Sequence, residues 1–216
     1  MNVLEPHAIW LFGLSGAGKS TLADRLCENL RSNQLSLLRL DGDALRSGLC
    51  RGLGFSLTDR AENIRRAAET AKIGLQSGVC VVASFITPLE TFRELAADII
   101  GREHVSFVHI AAPLNVCRSR DVKGLYAKAS AGGISDLTGV SSEFEEPSRP
   151  DLVLHTSEST VDECAAQLTH FALSRITAID QDRAAWTLGR AVASIVADAE
   201  GSRHFVHQPH PHAILS

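Results

Sequence analysis

The residues most able to do chemistry stand near the start of the chain. Gly13-Leu14-Ser15-Gly16-Ala17-Gly18-Lys19-Ser20-Thr21 satisfies G-x-x-x-x-G-K-[ST], and it lies between an apolar block and a segment of helical period, the setting that gives the pattern weight. The glycines Gly13, Gly16 and Gly18, with Ser15 and Ala17 between them, let the loop curl so that successive backbone N–H groups face a phosphate. The positive end of the following helix dipole adds to the cradle. Lys19 is expected to reach the β- and γ-phosphates and Ser20 to ligate Mg²⁺, with Thr21 a supporting hydroxyl beside them. This is the chemistry of a nucleoside triphosphate. No N-K-x-D guanine-reading motif occurs, and 216 residues leave little room for the extra domains of a motor ATPase. ATP and a small kinase are the expectation.

A second constellation is Asp41-Gly42-Asp43, directly after the apolar run that ends at Leu40. In open α/β sheets, ligands bind beyond the carboxyl ends of the strands, so these carboxylates are expected opposite the phosphate loop. Two carboxylates one residue apart can divide the labour. Asp43 is assigned to accept the proton of an attacking hydroxyl, and Asp41 to support the Mg²⁺ shell. The plainer reading of the same residues is a turn after a strand, with an aspartate capping a helix.

Positioning these groups requires a sheet. The blocks Ala8 to Phe12, Leu35 to Leu40, Val79 to Ala83, Val105 to Ile110 and Leu152 to Leu154 are short and continuously apolar, as strands buried on both faces are. Helical periods fill Ser20 to Arg31, Thr58 to Ser77, Leu89 to Ile100 and Thr160 to Arg175. Gly78 and Gly101 suit helix C-termini, and Ser159 with Asp162 forms a capping-box pattern. The alternation predicts a three-layer α/β fold of the P-loop NTPase kind, a mainly parallel five-stranded sheet flanked by helices. Residues 1–176 are expected to form the catalytic domain. Residues 121–150, rich in Gly and Ser, are too long for an ordinary connection and suit a lid. Residues 177–216 read as an extension: one amphipathic helix over Asp180 to Ala199, then a polar tail holding His204, His207, His210 and His212, which suits a polar end better than a metal site.

Composition narrows the partners. A net charge of −4 and a pI near 6.1 lack the basic excess that nucleic-acid binding needs. No apolar run approaches a membrane span, and the first residues do not resemble a secretory leader, which points to the cytoplasm. The cysteines, Cys27, Cys50, Cys80, Cys117 and Cys164, are odd in number and never paired as C-x-x-C, so they are expected to be reduced.

Beyond the phosphate loop, Asp41-Gly42-Asp43-Ala44-Leu45-Arg46-Ser47-Gly48-Leu49, Leu53-Gly54-Phe55-Ser56, Asp59-Arg60 and Glu62-Asn63-Ile64-Arg65-Arg66 follow in an order and spacing that resembles the adenylyl-sulfate kinases. Ser84-Phe85-Ile86 with Pro88, Arg120-Asp121-Val122-Lys123-Gly124-Leu125-Tyr126, Leu137-Thr138-Gly139-Val140 and Glu146-Pro147 continue the match, which spans roughly Ile9 to Leu173. The resemblance implies phosphoryl transfer from Mg-ATP to the 3′-hydroxyl of adenylyl sulfate. It also implies that Arg46, Arg60 and Asn63 grip the acceptor, that Phe55 stacks on its base, and that Ser84, Phe85 and Ile86 line its pocket. Lys123 would belong to the segment that closes over both nucleotides, and Arg118 and Arg120 are candidates for meeting ATP. A homodimer is expected, and an ATP sulfurylase is a candidate partner for the C-terminal tail. The chain departs from the family at Leu137, where a Phe commonly supplies a second stacking face, at Cys50 in place of Asn, at Gly133 in place of Glu, and at Leu89-Glu90-Thr91-Phe92. Those departures leave room for a related hydroxylated acceptor, and a nucleotide-binding subunit without catalysis is the reading from another class.

Overall fold

The computed structural model describes residues 3–133, 137–176 and 178–179. Two units are distinguished, Glu5–Thr177 and a second made of Met1–Leu4 with Ala178–Ser216. In the second, strand β1 (Val3–Leu4) pairs antiparallel with β7 (Ala178–Ile179). The expected helix over Asp180 to Ala199 and the histidine-bearing tail lie outside the described residues.

The larger unit is built on five strands: β2 (Ala8–Phe12), β3 (Leu37–Asp41), β4 (Cys80–Ser84), β5 (Val105–Ala111) and β6 (Leu152–His155). Their order across the sheet is β3-β4-β2-β5-β6, and every pairing is parallel. Central β2 is buried on both faces, which is why its sequence is apolar without alternation. Ile9 and Leu11 point into one core, while Ala8, Trp10 and Phe12 point into the other. Helices α1 (Lys19–Ser32) and α7 (Val161–Arg175) cover the first face through Leu22, Leu26, Leu30 and Leu168. Helices α3 (Leu57–Gln76) and α4 (Glu90–Ile100) cover the second, and the small residues Ala67, Ala68 and Ala71 let α3 pack closely. The five cysteines are unpaired and buried. Among the described residues, no helix is long and apolar enough to cross a membrane.

Two strand boundaries differ informatively from the sequence reading. β3 and β4 run one residue further, to Asp41 and Ser84, which are Cα partners in the ladder. Apolarity stops at Leu40 and Ala83, but backbone pairing does not, and it sets two polar side chains side by side at the carboxyl edge. Two short helices were not expected, α5 (Leu114–Arg120) and α6 (Leu125–Ser130), and α2 (Gly42–Ser47) is the capped helix of the plainer reading of Asp41-Gly42-Asp43. Asp41 is the N-cap of α2, and its carboxylate accepts the Asp43 N–H at 3.0 Å. The capping box ahead of α7 is Thr160 with Glu163, one residue beyond the expected Ser159 and Asp162.

Candidate active site

The carboxyl edge of the sheet opens into a cleft of about 790 Å³. The phosphate loop contributes Ser15, Gly16, Gly18, Lys19, Ser20 and Thr21 to its wall. Gly13 and Ala17 shape the loop from beneath instead. At φ +144°, a Cβ on Gly13 would stand 2.4 Å from the Ile110 carbonyl oxygen, so only glycine fits where the chain leaves β2. Gly16 is held as tightly, since at φ +77° its Cβ would meet the Cys117 carbonyl oxygen at 2.8 Å. Lys19 Nζ donates to the Leu14 carbonyl at 2.7 Å. Burial, and then the nearby Lys123 charge, push its ammonium down from 10.5 to about 8, so the site strongly favours an anion arriving beside it.

Asp41 is the hub between the loop and the rest of the cleft. Its Oδ2 accepts from Ser84 Oγ at 2.8 Å and Ser20 Oγ at 3.1 Å, and Arg39 lies 3.3 Å away. Burial raises its pKa, but the Ser84 hydroxyl, the Asp43 amide, the Arg39 charge and Ser20 outweigh that and hold the carboxyl below its usual range. It stays ionised. Asp43, by contrast, is 67% exposed, and its carboxylate is engaged by the Lys123 ammonium. The two aspartates thus differ as a positioning group and an available one do.

The opposite wall holds Arg46, Phe55, Arg60, Asn63, Ser84, Phe85, Ile86, Lys123 and Leu137. Phe55 is 56% exposed, so its ring is not core packing. The Arg46 guanidinium lies 4.5 Å from the ring centroid and that of Arg60 5.7 Å. Arg46 donates to the Gly54 carbonyl at 2.8 Å; Arg60 is buried and donates to the Phe55 carbonyl at 2.8 Å and to Thr138 Oγ1 at 3.0 Å. Both fix the loop that presents the ring. Asn63 is only 4% exposed, and its Nδ2 has no hydrogen-bond partner among the described residues. A buried amide donor without an acceptor costs about 1–3 kcal/mol, a cost that a ligand oxygen would remove. Phe85 stacks on Trp10 at 4.9 Å and forms the back of this wall.

Leu137 lines the cleft, and it is 5% exposed and packed into the core on the α1 side, so it forms a buried aliphatic floor. One expectation needs adjusting. Arg118 is exposed and does not line the cleft; Arg120 does, donating to the Thr156 carbonyl at 2.6 Å and Thr156 Oγ1 at 3.1 Å. The sequence reading missed Thr156, whose hydroxyl also donates to the Ala17 carbonyl at 2.8 Å. Its position just past β6, at the carboxyl edge, was the available signal. It missed Thr87 as well, buried in the cleft wall at φ +41°.

A phosphate loop facing a strand-end Asp-Gly-Asp across one cleft, on an all-parallel β3-β4-β2-β5-β6 sheet, defines a nucleotide-dependent kinase of the P-loop class. The family model described as adenylylsulphate kinase matches residues 5–155. An adenylyl-sulfate kinase of Shewanella amazonensis is 49% identical over 166 residues, covering 77% of this chain and 84% of the relative. One from Bacteroides thetaiotaomicron is 48% identical over 177 residues, covering 81% and 88%. The Mycobacterium tuberculosis APS kinase solved with AMPPNP and APS superposes with a TM-score of 0.73 at 40% identity, covering 76% of this chain and 95% of that one. The chain belongs to the adenylylsulphate kinase family.

Proposed function

We propose that this chain transfers the γ-phosphoryl group of Mg-ATP to the 3′-hydroxyl of adenylyl sulfate, giving ADP and 3′-phosphoadenylyl sulfate. The observation that carries the acceptor side is the exposed Phe55 ring with two guanidiniums close to it, and in the same wall the Asn63 Nδ2 donor, which has no partner among the described residues. An aromatic face takes a base, guanidiniums take an anionic phosphosulfate, and the amide takes an oxygen. On the donor side the loop amides and Lys19 hold the triphosphate. Ser20 Oγ and Asp41 Oδ2, 3.1 Å apart, suit Mg²⁺, which takes one or two protein oxygens and completes its shell with phosphate and water. When bound, it would neutralise charge on the phosphates.

In this reading Asp43 accepts the proton as the acceptor oxygen bonds to the γ-phosphorus and the bond to the β-phosphate oxygen breaks. Lys123, whose ammonium pairs with the Asp43 carboxylate, is drawn to the substrates' anionic groups and frees the carboxylate. The segment around residues 121–150 acts as the lid that carries Lys123. Assembly as a homodimer, coupling to a sulfurylase that supplies the acceptor, and a cytoplasmic setting complete the proposal. Light scattering tests the dimer. ADP release with ATP and adenylyl sulfate, compared with a panel of other nucleotides and sugars, tests the substrate. Turnover confined to adenylyl sulfate is expected, whereas faster turnover of another acceptor would replace it.

A further inference from the structure

We infer that Arg93, outside the cleft, is a positioning residue that holds the acceptor wall in shape and ties it to the end of the segment bearing Leu137. The inference rests on the acceptor assignment above. Its starting point is Thr87, a β-branched residue at φ +41°, a conformation that such residues rarely adopt and that persists only where the surroundings enforce it. Thr87 is fully buried, and its hydroxyl accepts from Trp10 Nε1 at 2.9 Å. Its carbonyl accepts from Arg93 Nη1 at 3.0 Å.

Arg93 is only 4% exposed, although it projects from a helix whose Glu94 and Asp98 face solvent. Nε and Nη2 are engaged as well. Nη2 donates to the Glu145 carbonyl at 3.2 Å and to Glu90 Oε2 at 2.9 Å, and Nε shares Glu90 Oε2 at 3.2 Å. The guanidinium also lies 5.0 Å from the Phe12 ring centroid, on the residue that leads into the phosphate loop. Glu145 returns the tie twice: its N–H donates to the Pro88 carbonyl at 2.9 Å, and its carboxylate accepts the Glu90 N–H at 2.6 Å. One planar fork therefore joins the strained cleft residue, the start of α4 and the chain that returns after Leu137. A lysine has a single ammonium and no fork, so it cannot hold these directions together. Removing the fork lets Thr87 relax toward negative φ. That moves Ile86 and Thr87 in the acceptor wall; the phosphate loop feels it at its first residue, Gly13, whose N–H donates to the Ile86 carbonyl at 3.2 Å, while Lys19 and Ser20 keep their own anchors at the Leu14 carbonyl and Asp41.

The test uses full-length Arg93→Met, Arg93→Lys and the double variant Arg93→Met/Thr87→Asn, asparagine being better tolerated at positive φ. Two readouts are taken: steady-state KM for each substrate, and the indole N–H resonance of Trp10 in ligand-free protein, with Trp186→Phe throughout so that one indole remains. Arg93→Met is expected to raise the adenylyl sulfate KM about tenfold with the ATP KM within about twofold, and to shift the Trp10 resonance. Arg93→Lys should fall between, and Thr87→Asn should recover part of the acceptor KM in the Met background. Equal changes in both KM values, or lower kcat and melting temperature with both KM values and the resonance unchanged, would show that Arg93 merely supports the fold. If Arg93→Met does not fold, Arg93→Lys gives the same two readouts. If the parent enzyme does not turn over adenylyl sulfate, the acceptor assignment fails, and an unmoved Trp10 resonance alone overturns the positioning role.

Discussion

The two aspartates show how neighbouring residues of one type acquire different jobs. Asp41 is tied to Ser84, Ser20, Arg39 and the Asp43 amide, so it is committed to holding other groups. Among the described residues the Asp43 carboxylate is engaged by Lys123, which a substrate can attract away, and that would leave it available to take a proton. Asp43→Asn should therefore lower kcat by a factor of about 10²–10⁴ with little change in melting temperature, and full turnover by the folded variant would contradict the base assignment. Lys19 adds a pH signature. Its pKa is depressed to about 8 in the ligand-free protein, whereas a bound triphosphate favours the charged form. ATP binding should then take up a proton above pH 8 and weaken as pH rises. Calorimetry at pH 9 in buffers of different ionisation enthalpy should detect that uptake, absent in Lys19→Met. The stability sign is the reverse of an ordinary ion pair: because the folded pKa lies below the unfolded one, Lys19 destabilises the ligand-free fold below pH 8, and that cost disappears between about pH 8 and 10.5.

At the scale of elements, what sequence reveals depends on length. The long helices and the buried strands were legible because each carries enough residues for its period or apolar block to stand out. Helices of six or seven residues, such as α2 and α6, span under two turns and show no period, and α2 opens on Gly42. The capping box was misplaced by one because Ser159 with Asp162 and Thr160 with Glu163 both fit the pattern, and only backbone geometry selects the second. Arg118 and Arg120 are two residues apart on one helix and so point to different faces, which sequence alone could not assign. Among the site elements, α3 carries both Arg60 and Asn63, and its start is capped by Ser56, whose hydroxyl accepts the Asp59 N–H at 3.1 Å. Ser56→Ala should cost about 1 kcal/mol in a denaturant titration. Because the fraying end holds Arg60 over Phe55, the same variant should raise the acceptor KM more than that of ATP. Equal effects on both would show that α3 does not report on the acceptor side.

For the whole molecule, the parallel sheet explains why one cleft gathers both candidate constellations. The loop after β2, the aspartates after β3, Ser84 at the end of β4 and Thr156 after β6 all emerge at the same carboxyl edge. Local motifs announced the loop and the aspartates. Thr87, Thr156 and Arg93 were silent because each is a lone residue whose role comes from partners far away in the chain, as the Arg93 tie to Glu145 does. The central claim, that the cleft phosphorylates the 3′-hydroxyl of adenylyl sulfate, is tested most directly by ³¹P NMR of the product formed from ATP and adenylyl sulfate. A 3′-phosphomonoester resonance growing in equal amount with ADP is the predicted result. ADP accompanied by inorganic phosphate, or a phosphoryl group on any other oxygen, would contradict it.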